Sequence, residues 1–351
     1  MQRSRTRRIL TVALIALLLS ACSEPAAKNT DEAQSLLIYT GRDKDEVAHV
    51  VDLFTKAHPH YKGKVETIIL GAQDALTRLR AEQSNPQAGF LWGGTIQGLQ
   101  QAAREQLLAP STPTHTNLID ASRKDPQGLW YAEMLLPEVI VYNHNAMKPE
   151  QAPKDWDDLI TPAFKGKIVI RDLAGSGTMR TIFSAMIYRQ NGGNPPDAGY
   201  AWLKKLDANT ITYAANPDDM YFKLDRAVGT VTLWNLQDAL IQPLKNKRPW
   251  TYVIASSGVP VLVDGVGVVN NPKSMKAAQD FENFLLEPKL QAQLAKDYYQ
   301  IPAMQVPDAD KPEWLMNLNI KEMKIDWDLM GQNETEWMGY WEKNIKGKGG
   351  N

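Results

Sequence analysis

From Leu36 onward, short apolar runs alternate with amphipathic stretches, the pattern of a chain that builds strands and helices by turns. Leu36-Leu37-Ile38-Tyr39 predicts a strand. Asp43 to His58 predicts a helix, with Val47, Val50, Val51 and Phe54 at helical spacing and Pro59 just past its end. Val65 to Leu70 predicts the next strand and Ala72 to Gln83 the next helix. Gly89-Phe90-Leu91-Trp92 predicts a short strand ending in Gly93-Gly94, and Thr95 is placed to cap a helix running to Glu105. In sheets built from such strand–helix units, ligands sit outside the carboxyl ends of the strands. The loops there are Thr40-Gly41-Arg42-Asp43, Gly71-Ala72-Gln73-Asp74 and Trp92-Gly93-Gly94-Thr95.

The character changes around Glu138 to Asn145, where an apolar strand leads into a stretch holding Pro149, Pro153 and Pro162. A second series then begins: a strand from Lys167 to Arg171, the loop Ala174-Gly175-Ser176-Gly177, and a helix from Thr178 to Gln190. A helix over Asp197 to Leu206, a strand over Ile211 to Ala214, a helix over Pro217 to Arg226 and a strand over Thr230 to Trp234 follow. Val259 to Val269 is an apolar run long enough to pass between two bodies. Helices over Pro272 to Leu285 and Pro288 to Asp297 come next, and Ile325 to Lys346 predicts a final helix bearing Trp327, Trp337 and Trp341. The fold expected is α/β with two lobes and a cleft between them that can close by a hinge.

The first 22 residues follow another pattern. Met1 to Arg8 carries Arg3, Arg5, Arg7 and Arg8, and Ile9 to Leu19 is apolar apart from Thr11. That is the layout of an export signal, too short to span a membrane stably. Leu19-Ser20-Ala21-Cys22 resembles the bacterial lipoprotein box, and Cys22 is the sole cysteine of the chain. The expectation is that residues 1–21 are removed, that lipid on Cys22 holds the protein to a membrane outside the cytoplasm, and that residues 22–35 form a tether.

Composition narrows the classes. Of 351 residues, 43% are hydrophobic and 23% charged, so a packed core is available. The formal net charge is −1, and it becomes −5 once the four arginines of the export signal are gone, which argues against a nucleic-acid partner. One cysteine excludes a disulfide framework and a thiolate metal cluster.

With those segments in place, the chain resembles the extracellular solute-binding proteins of ABC importers, in the branch that contains ferric-iron binders and hexose-phosphate or phosphonate binders. The resemblance rests on Leu37-Ile38-Tyr39-Thr40-Gly41, on Leu91-Trp92-Gly93-Gly94-Thr95 before a helix ending Ala103-Arg104-Glu105-Gln106-Leu107-Leu108, and on Asp155-Trp156-Asp157-Asp158-Leu159. Phe164-Lys165-Gly166-Lys167-Ile168, Ser176-Gly177-Thr178 and Phe281-Glu282-Asn283-Phe284-Leu285-Leu286 continue it. It covers Leu36 to Lys346. It implies a two-lobed periplasmic-binding-protein-like fold of type II, with two hinge crossings and a C-terminal helix. Lobe I is expected over 36–137 and 266–308, and lobe II over 138–265 and 309–346. The partners implied are a membrane permease and its ATPase, with the binding protein itself a monomer.

Ser176-Gly177-Thr178 is the sharpest chemical signal. Small residues before a helix leave backbone N–H groups pointing outward, the helix dipole adds positive potential, and hydroxyls add donors. A phosphate, phosphonate or carboxylate would suit it; the alternative is that Ser176 or Thr178 caps its own helix. In the family the matching loop binds an anion, and Asn216 matches an anion-contacting asparagine. Arg180 either meets that anion or points to solvent. Arg42 and Asp43 are either ligand contacts or a local surface pair. Gln73, Gly94, Thr95 and Asn235 lie in or beside the loops at strand ends, and Trp92 and Trp234, each read as closing a strand, either stack on a ligand or pack the lobes.

Ferric members hold iron with two adjacent tyrosines and a histidine. This chain has Trp234-Asn235-Leu236-Gln237 where the tyrosines would lie and Asp43 near the histidine position, which disfavours iron. His58-Pro59-His60 reads as a helix end. A hydrolase using Ser176 lacks a Gly-x-Ser-x-Gly elbow. The function expected is capture of a small anionic, phosphorylated or phosphonated metabolite, without catalysis, cofactor or metal, and delivery to the permease or to a sensor.

Overall fold

A computed structural model describes residues 34–349; the expected export signal, Cys22 and the expected tether up to Ala33 lie outside the described residues. The first elements are β1 (Leu36–Thr40), α1 (Lys44–Ala57), β2 (Val65–Ile69), α2 (Ala72–Ala81), β3 (Phe90–Thr95) and α3 (Ile96–Arg104). Then come β4 (Tyr131–Asn143), β5 (Ile168–Arg171), α4 (Gly177–Asn191), α5 (Asp197–Asn209), β6 (Thr210–Ala214), α6 (Pro217–Asp225), β7 (Val231–Asn235) and α7 (Leu236–Asn246). The chain ends with β8 (Trp250–Val253), β9 (Val261–Val268), α8 (Met275–Leu285), α9 (Pro288–Tyr298), β10 (Ile301–Pro302), α10 (Glu313–Met316) and α11 (Trp327–Asn344).

Local chemistry sets the helix starts. Asp43 caps α1, accepting the Asp45 N–H at 2.9 Å, with Asp45 and Glu46 in the positive first turn. Thr95, Ser176, Asn216 and Asn235 cap α3, α4, α6 and α7 in the same way.

The strands lie in the order β2-β1-β3-β9-β4-β7-β5-β6, with β8 and β10 both added to β4. β4 ties the two series together. Residues Tyr131 to Pro137 pair antiparallel with β9, and residues Glu138 to Tyr142 pair antiparallel with β7. Each side of that change has its own core. Tyr39, Leu76, Leu91, Leu99 and Trp130 pack on one side; Ile140, Ile170, Phe183, Leu233 and Trp341 belong to the other. Between them lies a small cluster of Met134, Leu136 and Leu262. Two cores joined by two strands, β4 and β9, make a two-lobed molecule. Helix α11 returns to the second lobe, where the Trp341 ring meets Phe183 edge-on at 5.2 Å and Tyr340 stacks on Tyr200 at 4.0 Å.

Several elements differ from the sequence reading. β3 does not stop at Trp92: it runs through Gly93, which takes φ +96°, to Thr95, with a register shift against β9. β4 begins seven residues before Glu138, because Glu133 and Pro137 mask an otherwise apolar stretch. Helix α7 and strand β8 were not anticipated; Pro243 inside α7 reads as a helix breaker, yet the helix continues past it to Asn246.

Candidate functional site

The loops at the carboxyl ends of β1, β3 and β7 and the two joining strands meet in a buried charged seam. Arg42, only 8% exposed, follows β1, and its backbone N–H donates to Thr40 Oγ1 at 3.1 Å. Its Nη2 donates to Glu133 Oε2 on β4 at 2.5 Å and to Asp264 Oδ1 on β9 at 2.7 Å; its Nε lies 3.8 Å from Glu46 Oε1 on α1. Those carboxylates hold the guanidinium pKa above its ordinary value against the opposing effect of burial. Trp92 Nε1 donates to the same Glu133 oxygen at 3.0 Å, and the Gly94 N–H bonds to Asp264.

The seam continues into the second lobe. Asp238, in the first turn of α7, accepts from Trp234 Nε1 at 2.6 Å, from Asn235 Nδ2 at 3.0 Å and from the Tyr221 hydroxyl at 2.7 Å. Glu138 on β4 is fully buried, and among the described residues neither of its oxygens has a hydrogen-bond partner. Burial, with the charges of Asp238 and Asp264, pushes its pKa well above the usual carboxylate range. Burial likewise raises Glu46 to about 8 and Asp264 to about 6, against the pull of Arg42. Three carboxylates (Glu46, Glu133, Asp264) thus share the Arg42 guanidinium, while Glu138 and Asp238 lie further along the seam.

A second group of residues lies where the lobes touch. At Gly177 a Cβ would sit 3.1 Å from Thr95 Cγ2 and 3.9 Å from the Ala72 Cβ; at Gly71 it would sit 2.5 Å from the Gly175 carbonyl oxygen. Gly71, Ala72 and Thr95 belong to the first lobe and Gly175 and Gly177 to the second, so the lobes are closed on one another here. Ser176 Oγ accepts the Met179 N–H at 3.2 Å, and the first intrahelical bond of α4 runs from the Arg180 N–H to the Ser176 carbonyl. The amides of Gly177 and Thr178 precede that bond and are left over. Arg171, the last residue of β5, flanks this loop: it is 9% exposed, its Nη2 is 3.0 Å from where a Gly175 Cβ would lie, and its Nε has no acceptor. Nη1 donates to the carbonyls of Asp172 at 3.1 Å and Ala214 at 3.5 Å, and burial pulls its pKa down.

The remaining anticipated positions fall elsewhere. Arg180 is tied to Glu334 of α11, with Nε 2.5 Å from Oε1. Asn216 is exposed and accepts the Asp219 N–H at 2.8 Å, and Asp43 is an exposed cap. Gln73 and Thr178 are half-buried at the lobe contact, and Gly41 is exposed beside Arg42. Trp92 and Trp234 are buried, their indole N–H groups spent on Glu133 and Asp238. Glu133, Glu138, Asp264 and Arg171 were missed by the sequence reading. Each is a charged residue inside or, for Arg171, at the end of an apolar strand, and that pattern is the signal that could have found them.

The tightness at Gly71 gives a testable expectation. Its backbone (φ −60°, ψ 150°) accepts any side chain, so Gly71→Val should fold normally. The new Cβ has no room against Gly175, so small-angle scattering should show a larger radius of gyration than wild type. An unchanged radius would mean that the lobes close without this contact.

A family model described as bacterial extracellular solute-binding protein matches residues 95–333. The probable ABC transporter periplasmic-binding protein y4fP of Sinorhizobium fredii is 25% identical over 90% of this chain and 87% of its own. A putative 2-aminoethylphosphonate-binding periplasmic protein of Salmonella typhimurium is 26% identical over 72% of each chain. In three dimensions the chain is similar to the ferric binding protein from Campylobacter jejuni, with a TM-score of 0.74, 23% identity and coverage of 88% of this chain and 99% of that one. The two cores, the two joining strands and the closed contact between helix starts are the architecture of such a protein, and this chain belongs to the bacterial extracellular solute-binding proteins.

Proposed function

We propose that this protein captures a small phosphorylated or phosphonated solute between its lobes and hands it to the permease and ATPase of an ABC importer. In this reading the protein works outside the cytoplasm, held to the membrane by lipid on Cys22. The relative named as an ABC transporter binding protein supports the transport role. The observation that carries the ligand class is Arg171: a buried guanidinium with an unclaimed Nε beside the Gly175–Gly177 loop, where α4 presents the free amides of Gly177 and Thr178. Together they would give an anion a charge, a dipole and several donors. Bare ferric iron is less well supported. Trp234 and Asn235 stand where the family's tyrosines would be, and among the described residues no three His, Cys, Asp or Glu side chains converge as an ion site.

Calorimetric titration of the purified domain with 2-aminoethylphosphonate, glucose 6-phosphate, inorganic phosphate and ferric citrate tests the class. One phosphorus compound is expected to bind at one-to-one stoichiometry. Arg171→Met should weaken it by about 100-fold, as loss of a charge-assisted bidentate contact would. Tight binding of ferric citrate alone, or an Arg171→Met variant with wild-type affinity, would overturn the reading.

A further inference from the structure

We propose that Lys346, fixed by the segment that follows α11, is a positioning residue for the anion's place: it pairs with Asp172 and so leaves Arg171 to the solute. The inference rests on the reading of Arg171 and the Gly175–Gly177 loop as the anion's seat, and adds the device that keeps that seat open. Asp172 stands between Arg171 and the loop, and each of its oxygens has its own partner. Oδ1 accepts the Ala174 N–H at 2.9 Å, which shapes the turn leading to Ser176; Oδ2 accepts from Lys346 Nζ at 2.6 Å. Burial works to raise the Asp172 pKa, yet Lys346 and the Ala174 amide hold it below its ordinary value. A full negative charge therefore sits beside Arg171 in the chain and acts on its guanidinium, as does Asp74 of the first lobe. Left alone, the Asp172 carboxylate would compete for Arg171 and repel an incoming anion. Lys346 cancels it.

The ammonium is held, not loose. Glu342, four residues earlier, accepts from it at 2.8 Å, and it lies 5.7 and 5.6 Å from the ring centres of Tyr213 and Trp341. Beyond Lys346 the chain is gripped by Asp207 of α5, a buried carboxylate. Its Oδ1 accepts the Gly347 N–H at 2.8 Å, and its Oδ2 accepts those of Lys348 at 3.0 Å and Gly349 at 2.6 Å. The Tyr213 hydroxyl donates to the same group. At Gly349 a Cβ would meet the Ala208 nitrogen at 2.5 Å, so the segment lies flat against the end of α5. A buried carboxylate with all of these donors fixes where Lys346 stands.

The test is calorimetric titration of wild type and variants with 2-aminoethylphosphonate, glucose 6-phosphate and inorganic phosphate, with thermal unfolding of each protein alongside. Lys346→Met should weaken the compound that wild type binds best by about tenfold. Lys346→Met combined with Asp172→Asn, which keeps the acceptor for Ala174 and removes the charge, should return to within about threefold of wild type. A purely structural role would not be rescued by a second substitution. Asp172→Asn alone should bind at least as tightly as wild type, and that measurement stands even where Lys346→Met does not fold. Three results would overturn the role of Lys346 and leave the anion reading standing: wild-type affinity in Lys346→Met, a double variant no better than the single one, or a loss of about tenfold in Asp172→Asn. Failure of wild type to bind any of these compounds would overturn both.

Discussion

Equilibrium unfolding in urea should show this protein more stable at pH 5 than at pH 8. The cause is a set of carboxyl groups that fold with their protons on. Glu46 and Glu282 are pushed up to about 8, and Asp264 to about 6, chiefly by burial. Glu282 on α8 is fully buried. In the unfolded chain the same groups release their protons near pH 4 to 4.5. Between those limits the folded state holds more protons than the unfolded state, so stability falls as pH rises. Each such group contributes a slope of about 1.4 kcal/mol per pH unit within its window. For Asp264 the loss ends near pH 6; for Glu46 and Glu282 it continues to about pH 8. Groups of the opposite sign set the acid limit. Asp157, bonded to Arg189 and Trp202, and Asp172, bonded to Lys346, have lowered pKa values, and their contribution disappears as the pH drops below about 4. The stability maximum should therefore lie at about pH 4 to 4.5. A profile that is flat or rising from pH 5 to 8 would show that the buried carboxyls ionise freely in the folded protein.

Arg42→Met should be the most damaging single change in the seam. The side chain length is kept, but Glu133, Asp264 and Glu46 lose their only guanidinium, and Glu133 is fully buried. Removing one partner of a buried ion pair costs about 3–5 kcal/mol, because the other charge is left stranded in a medium that solvates it poorly. At pH 8 the variant should lose that amount in urea unfolding. At pH 5 Glu46 and Asp264 can keep their protons, and the loss should be smaller than at pH 8. An equal loss at both pH values would mean that Arg42 matters through packing instead of charge.

Much of the architecture was legible along the chain because strand–helix alternation is a local pattern. The strand from Leu36 and the helix closed by Pro59 lie within a residue or two of their places, and so do the α4 and α6 helices, while α5 runs three residues past its expected end. What stayed hidden depends on partners distant in sequence. Nothing near Arg42 shows that it bonds to residues 91 and 222 positions away. Glu133 and Glu138 look like strand breakers until β9 and β7 are set beside them. The cleft loops were readable as loops, but not which of their polar side chains turn back on their own helices, as Ser176, Asn216 and Asn235 do.

The change of partner along β4, between Pro137 and Glu138, places one of the buried acids of the seam on the segment that links the two cores. The strand that links the two bodies therefore also carries a charge the fold must neutralise, so a substitution there disturbs stability and lobe geometry at one stroke.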